Sequence, residues 1–227
     1  MTKLVLLLCV AVSCVLGTSN HPTATPPTSC CMPEQWEGQM VEIGAYVSDG
    51  HAGTFQGPIT ISYDKKGMRQ VTVSKLSYSA GLQANMKIIQ DFKGHMQYVI
   101  NGNTCTKSPL TDAMTPNCIP DGAKYWGGFY IGGPDTQLPC NRWLYTSKGT
   151  NVSLTVTQQD CYPVLETEYG NTPRGGQMAS IAFTSVRPGI QDPTVFDPPS
   201  ICNKVSKEHP HHQLQGLHRR AMNILRR

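Results

Sequence analysis

Apolar and polar residues alternate with period two along most of this chain. Val41, Ile43, Ala45 and Val47 alternate with Glu42, Gly44 and Tyr46, as in an extended strand whose successive side chains point to opposite faces. Ile59, Ile61 and Tyr63 repeat the pattern after Pro58. Asp64-Lys65-Lys66-Gly67 then leads to Val71 and Val73, and Asp and Gly so placed signal a hairpin turn. A second hairpin is predicted where Met86, Ile88 and Ile89 pass through Asp91-Phe92-Lys93-Gly94 to Met96, Tyr98 and Ile100. Further strands are predicted over residues 125–131, 142–145, 152–157, 164–169 and 178–186, with Val152, Leu154 and Val156 set cleanly against Ser153, Thr155 and Thr157. Residues 106–121, rich in Pro, Thr and Asp, read as a loop with at most a helical turn.

Helical spacing is confined to the end of the chain, where Leu214, Leu217, Ala221, Ile224 and Leu225 recur among Arg219, Arg220, Arg226 and Arg227. This is either a short basic amphipathic helix, suited to an anionic membrane surface, or a frayed tail. Many short strands without helical crossovers predict an all-β fold with antiparallel pairing, a two-sheet sandwich or a half-open barrel. No repeat period is present.

The start of the chain has a different pattern. Lys3 precedes the apolar run Leu4-Val5-Leu6-Leu7-Leu8-Cys9-Val10-Ala11-Val12, and small residues follow to Gly17. That run is too short to span a bilayer and has the flanks of a secretory signal peptide. The expected organisation is therefore a signal peptide at 1–17, a flexible Thr/Pro-rich leader at 18–29, one β domain at 30–202 and a basic, His-containing tail at 203–227. The leader has the composition of an O-glycosylated segment. The expected destination is extracellular, with no later transmembrane segment.

Composition supports this picture. Charged residues are 15% of the chain, against 21 Gly and 17 Pro, which favours strands and turns over helices. The formal net charge of +4 is misleading, because Lys204, Lys207, Arg219, Arg220, Arg226 and Arg227 oppose only Glu208 in the tail. The remaining body is slightly acidic, which argues against a nucleic-acid partner.

Cys9 and Cys14 lie in the signal region, leaving Cys30, Cys31, Cys105, Cys118, Cys140, Cys161 and Cys202. Export makes disulfides their default use, and the paired spacings of zinc sites are absent. Seven is odd, so at least one thiol is free, capped or joined to a second chain. Cys31, adjacent to Cys30, is the readiest candidate, and a vicinal redox pair is the alternative.

Asn151-Val152-Ser153 is an acceptor for N-linked sugar at the start of a predicted strand. Met40, Met68, Met86, Met96 and Met178 lie in or beside strands, where flexible thioethers either fill core gaps or line an adaptable pocket. Gly127-Gly128 and Gly132-Gly133-Pro134 flank an aromatic strand and read as structural, since no Lys-Ser/Thr or helix follows to cradle a phosphate. Trp36 and Trp126 read as core or rim anchors. No EF-hand loop is present; Asp49, Asp112, Asp121 and Asp135 in loops leave calcium open with its ligands unknown, and His209-Pro210-His211-His212 reads as part of a solvated tail, with weak copper or zinc chelation as the alternative. No nucleophile elbow, His-Glu-x-x-His or P-loop occurs, and His51 and His95 have no nucleophile beside them. The chain therefore reads as a non-enzyme that requires no cofactor.

Four strings in order resemble the ependymin-related family: Cys30-Cys31-Met32-Pro33-Glu34-Gln35-Trp36-Glu37-Gly38, Ile131-Gly132-Gly133-Pro134, Asp160-Cys161-Tyr162-Pro163-Val164, and Gly189-Ile190-Gln191-Asp192-Pro193-Thr194-Val195-Phe196-Asp197-Pro198-Pro199-Ser200-Ile201-Cys202. The resemblance implies two stacked antiparallel sheets enclosing a deep hydrophobic pocket, like bacterial lipoprotein carriers. It also implies dimerisation, glycosylation, calcium association and a lipid or other hydrophobic ligand. Carried over by position, Cys30 (or Cys31) pairs with Cys161 and Cys105 with Cys202. A third family bridge has no counterpart here, and Cys118 with Cys140 is the expected additional pair. Val71, Val73, Ile88, Met96, Tyr98 and Ile100 are the expected pocket lining. Three functions compete: a carrier of hydrophobic ligands in the extracellular space or lysosomal lumen, an extracellular matrix, adhesion or biomineral protein, and a secreted chemical cue.

Overall fold

The computed structural model describes residues 26–48, 50–79, 81–147, 149–172 and 175–203. The signal peptide, most of the leader, and the basic tail with its candidate helix and histidines lie outside the described residues. Eleven strands pair antiparallel: β1 (Gln35–Ser48), β2 (His51–Asp64), β3 (Arg69–Tyr78), β4 (Gln83–Asp91), β5 (Met96–Asn101), β6 (Thr104–Pro109), β7 (Lys124–Ile131), β8 (Leu138–Ser147), β9 (Thr150–Thr157), β10 (Pro163–Thr172) and β11 (Gly175–Pro188). Their spatial order is β6-β5-β4-β3-β2-β1-β11-β10-β9-β8-β7. Two meanders thus meet where β1 pairs with β11, and one continuous sheet, open at β6 and β7, forms the all-β, half-open architecture.

Two hairpins share one turn chemistry. Asp64 Oδ1 accepts from Gly67 N (2.9 Å), and Asp91 Oδ1 accepts from Gly94 N (2.7 Å). The next residues, Met68 and His95, both take positive φ (52°). An aspartate that satisfies the turn's own N–H is why both Asp-x-x-Gly strings make hairpins.

The side-chain parity of β1 runs opposite to its hydropathy. Trp36, Met40 and Glu42 are buried, whereas Val41, Ile43 and Val47 are exposed. A strand keeps one parity along its length, and Trp36 and Met40 join Phe55, Ile59, Ile61 and Ile181 in the main apolar cluster. Glu42 is therefore carried inward by its neighbours. Gly44, of the same parity, leaves room for the Phe55 ring: a Cβ there would lie 2.3 Å from it.

The other face of β3 to β5 is covered by the end of the domain. Val71, Ile89 and Phe196 form a cluster flanked by Val73, Tyr98, Ile100, Ile190 and Val195. Asp192 Oδ1 starts a 3-10 turn over Pro193–Phe196 by accepting from Thr194 N (2.9 Å) and Oγ1 (2.7 Å). The Arg69 guanidinium lies 4.1 Å from the centre of the Phe196 ring, a cation–π contact. The Cys105–Cys202 disulfide anchors the segment beyond it.

Candidate functional site

The inner face encloses a cavity of ≈ 130 Å³. Trp36 and Met40 of β1, Ile61 and Tyr63 of β2, Leu154 and Val156 of β9, and Phe183 of β11 supply its apolar wall. Gln70, Tyr145 and Glu166 supply the polar side chains of the strands, and residues 115–120 close it from the β6–β7 loop. An apolar cavity of roughly 150 Å³ accommodates benzene, so this one holds a ring or a few methylene groups.

The closing loop is held firmly. Tyr63 Oη donates to Thr115 O (2.7 Å), and Lys65 Nζ donates to Asn117 Oδ1 (2.9 Å). The N-terminal segment runs alongside, with Met32 N donating to Asn117 O (2.7 Å) and Ile119 N to Cys30 O (2.9 Å). Two disulfides complete the clasp, Cys31–Cys118 to the loop and Cys30–Cys161 to the β9–β10 turn. Each such bridge contributes about 2–4 kcal/mol by limiting the unfolded chain.

The ionisable side chains at inward strand positions, among the described residues, are carboxyls and phenols. One cross-strand row runs Trp143, Leu154, Glu166, Ile181, Glu42, Gly57. The next runs Tyr145, Val152, Glu168, Ala179, Gly44, Phe55, Tyr78. Glu42 is 0% exposed and neither of its carboxyl oxygens has a hydrogen-bond partner. Burial, then the nearby Glu166, pushes its pKa up to about 8. Glu166 is half-buried with its side chain on the cavity; burial raises its pKa against a hydrogen bond with Glu168. Burial raises Tyr78 to about 12, with Glu42 and Tyr46 adding to it. Burial also raises Tyr145, reinforced by Glu166 and Glu168.

The structure redistributes several expected site residues. Cys118 bonds Cys31, not Cys140, because residues 30–32 lie antiparallel to the loop and bring Cys31 and Cys118 to a Cα separation of 3.8 Å. Cys31 is therefore paired. Cys140 is the free cysteine among the described residues, fully buried on β8 with burial raising its pKa. None of Val71, Val73, Ile88, Met96, Tyr98 and Ile100 lines the cavity. Val71, Val73, Tyr98 and Ile100 face the C-terminal segment, and Met96 shares their face. Ile88 is buried on the inner side, paired with Thr72 and Val99. The reason is parity: in β3 the inward set is Thr72, Ser74, Leu76 and Tyr78, so the more apolar Val71 and Val73 point outward.

Of the methionines, Met40 lines the cavity, Met86 and Met96 are half-buried, and Met68 and Met178 are exposed. Trp36 is buried and Trp126 exposed. Asn151 is exposed on β9. Asp49 lies outside the described residues; Asp112, Asp121 and Asp135 are not clustered, and no three His, Cys, Asp or Glu side chains come together as a cation shell among the described residues. His51 and His95 are exposed. Glu42, Glu166 and Glu168 were missed by sequence reasoning, although Glu42 has the parity of Trp36 and Met40.

Residues 80–202 match the Ependymin family model. The chain is 31% identical over 204 residues to Mammalian ependymin-related protein 1 of Rattus norvegicus, covering 88% of this chain and 86% of the relative. It is 28% identical over 193 residues to Ependymin-related protein 1 of Haliotis asinina, covering 80% and 94% respectively. A solved structure of an uncharacterized conserved protein from Thermus thermophilus aligns over 72% of this chain and 86% of its own, at 8% identity and a TM-score of 0.42. A likeness that low carries no argument about function.

Proposed function

Because the chain belongs to the ependymin family, we propose that it is a secreted, disulfide-bonded, non-enzymatic glycoprotein that shelters the apolar part of a hydrophobic ligand in the cavity between β1–β2 and β8–β11. The observation that carries this reading is the cavity itself, with a predominantly apolar wall held by a disulfide-clasped loop. Its size sets a limit. A ring or short chain fits as the cavity stands, and a long acyl chain requires the loop at 115–120 to yield. The export pattern of residues 1–17 supports secretion, and no helix among the described residues is long and apolar enough to cross a membrane. Asn151 is the proposed glycan site.

The outer face supports a second element, a homodimer. Val41, Ile43 and Val47 of β1, Leu165 and Tyr169 of β10 and Met178 of β11 are 39–58% exposed and share one side of the sheet. A contiguous apolar strip of this kind suits a partner surface, and a second copy is the proposed occupant. Native mass spectrometry of the gently purified secreted protein tests both points. A discrete ligand mass that disappears on organic extraction, on a dimer, is expected. A ligand-free chain that stays unchanged after incubation with mixed lipids refutes the carrier, and a monomer at all concentrations refutes the dimer.

A further inference from the structure

Among the described residues, no strand lysine or arginine faces the carboxyls of the inner face. All of those cations (Arg69, Lys75, Lys87, Lys107, Lys124, Arg142 and Arg187) fall at outward register positions. Glu42, Glu166 and Glu168 fall inward. Glu42 is 0% exposed with both oxygens unpartnered, and Glu166, across Ile181 in the same row, lines the cavity. A buried carboxyl without a partner destabilises the fold unless a further group completes it. The three carboxyls are strung along two rows and do not converge as a metal shell.

We propose that the cavity takes an amine carried on an apolar group, with its ammonium on Glu166, the carboxyl that lines the cavity, and the buried Glu42 behind it across Ile181. This rests on the reading of the cavity as a ligand site and narrows it. The apolar group packs on Leu154, Val156 and Phe183. A fatty acid or phosphate head there would be an anion in a poorly solvated interior with no strand cation facing it, which is unfavourable. The buried indole N–H groups of Trp36 and Trp143 and the Gln90 amide also lack a partner, but they are neutral donors, and of the three only Trp36 lines the cavity.

Titration calorimetry of the ligand-free, full secreted protein with benzylamine, benzyl alcohol and benzoate tests this with probes matched to the cavity. Benzylamine is expected to bind about tenfold or more tightly than benzyl alcohol, and benzoate more weakly than either. Glu166→Gln and Glu42→Gln are expected to erase the preference for the amine, and binding of benzyl alcohol reports that the variants are folded. Equal affinities, tightest binding of benzoate, or a preference that survives both substitutions overturns the proposal while leaving the carrier reading intact. No binding of any of the three, together with no co-purified ligand, removes both.

Discussion

Replacing Glu42 by glutamine should stabilise the protein, and by an amount that grows with pH. The side chain is 0% exposed and makes no hydrogen bond through either oxygen, and its pKa is raised from 4.5 to about 8. The unfolded chain thus ionises this group near pH 4.5, while the folded chain keeps it protonated until about pH 8. Between those values unfolding releases a proton, so the group's effect on stability worsens as pH rises. At about 1.36 kcal/mol per pH unit, the loss reaches roughly 3 kcal/mol at pH 7 and approaches about 5 kcal/mol above pH 8. Glutamine keeps the shape and the unpaired polar atoms but cannot ionise. Urea unfolding with disulfides intact, followed by tryptophan fluorescence from pH 4 to 9, should give wild type and Glu42→Gln equal stability near pH 4 and a gap of about 3 kcal/mol at pH 7. Glu42→Leu, which also removes the unpaired polar group, should add about 1–3 kcal/mol even at pH 4. A gap that does not change with pH, or a Glu42→Gln protein less stable at pH 7, would show that the carboxyl is partnered or hydrated and refute the reasoning.

Cys140 should resist a thiol reagent in the native mature protein and titrate as one thiol per chain after unfolding, because burial both hides the sulfur and raises its pKa; rapid native labelling would contradict its placement. Phe196→Ala should cost about 3–5 kcal/mol in unfolding experiments, since the ring is 5% exposed against Val71 and Ile89 and lies under Arg69. A cost below about 1 kcal/mol would mean that the Cys105–Cys202 bond alone secures the segment. Asn151→Gln should remove one glycan mass from the secreted protein without changing its unfolding midpoint, given the exposed position of Asn151; an unchanged mass would dismiss the site.

Read from the residues alone, the chain already specifies strands, antiparallel pairing and both Asp-x-x-Gly hairpins, because these depend on period two and on a turn whose aspartate caps its own glycine N–H. The ordered strings from Cys30 to Cys202 also marked the family. What local pattern could not supply was the inward face. Val41 and Ile43 are more apolar than Glu42, and Val71 and Val73 more than Thr72 and Ser74, yet in each strand the latter set points inward. Hydropathy gives a strand its period but not its sign when both faces carry apolar residues: the outer face of β3 to β5 is covered by the segment around Ile190, Val195 and Phe196, whereas that of β1 is left exposed. The same limit applied to the cysteines: only the antiparallel approach of residues 30–32 to the loop made Cys118 the partner of Cys31 and left Cys140 alone. Glu42, Glu166 and Glu168 share the inward face, with Glu166 on the cavity, because β1 and β10 pair with opposite edges of β11, a long-range register that no window of sequence contains.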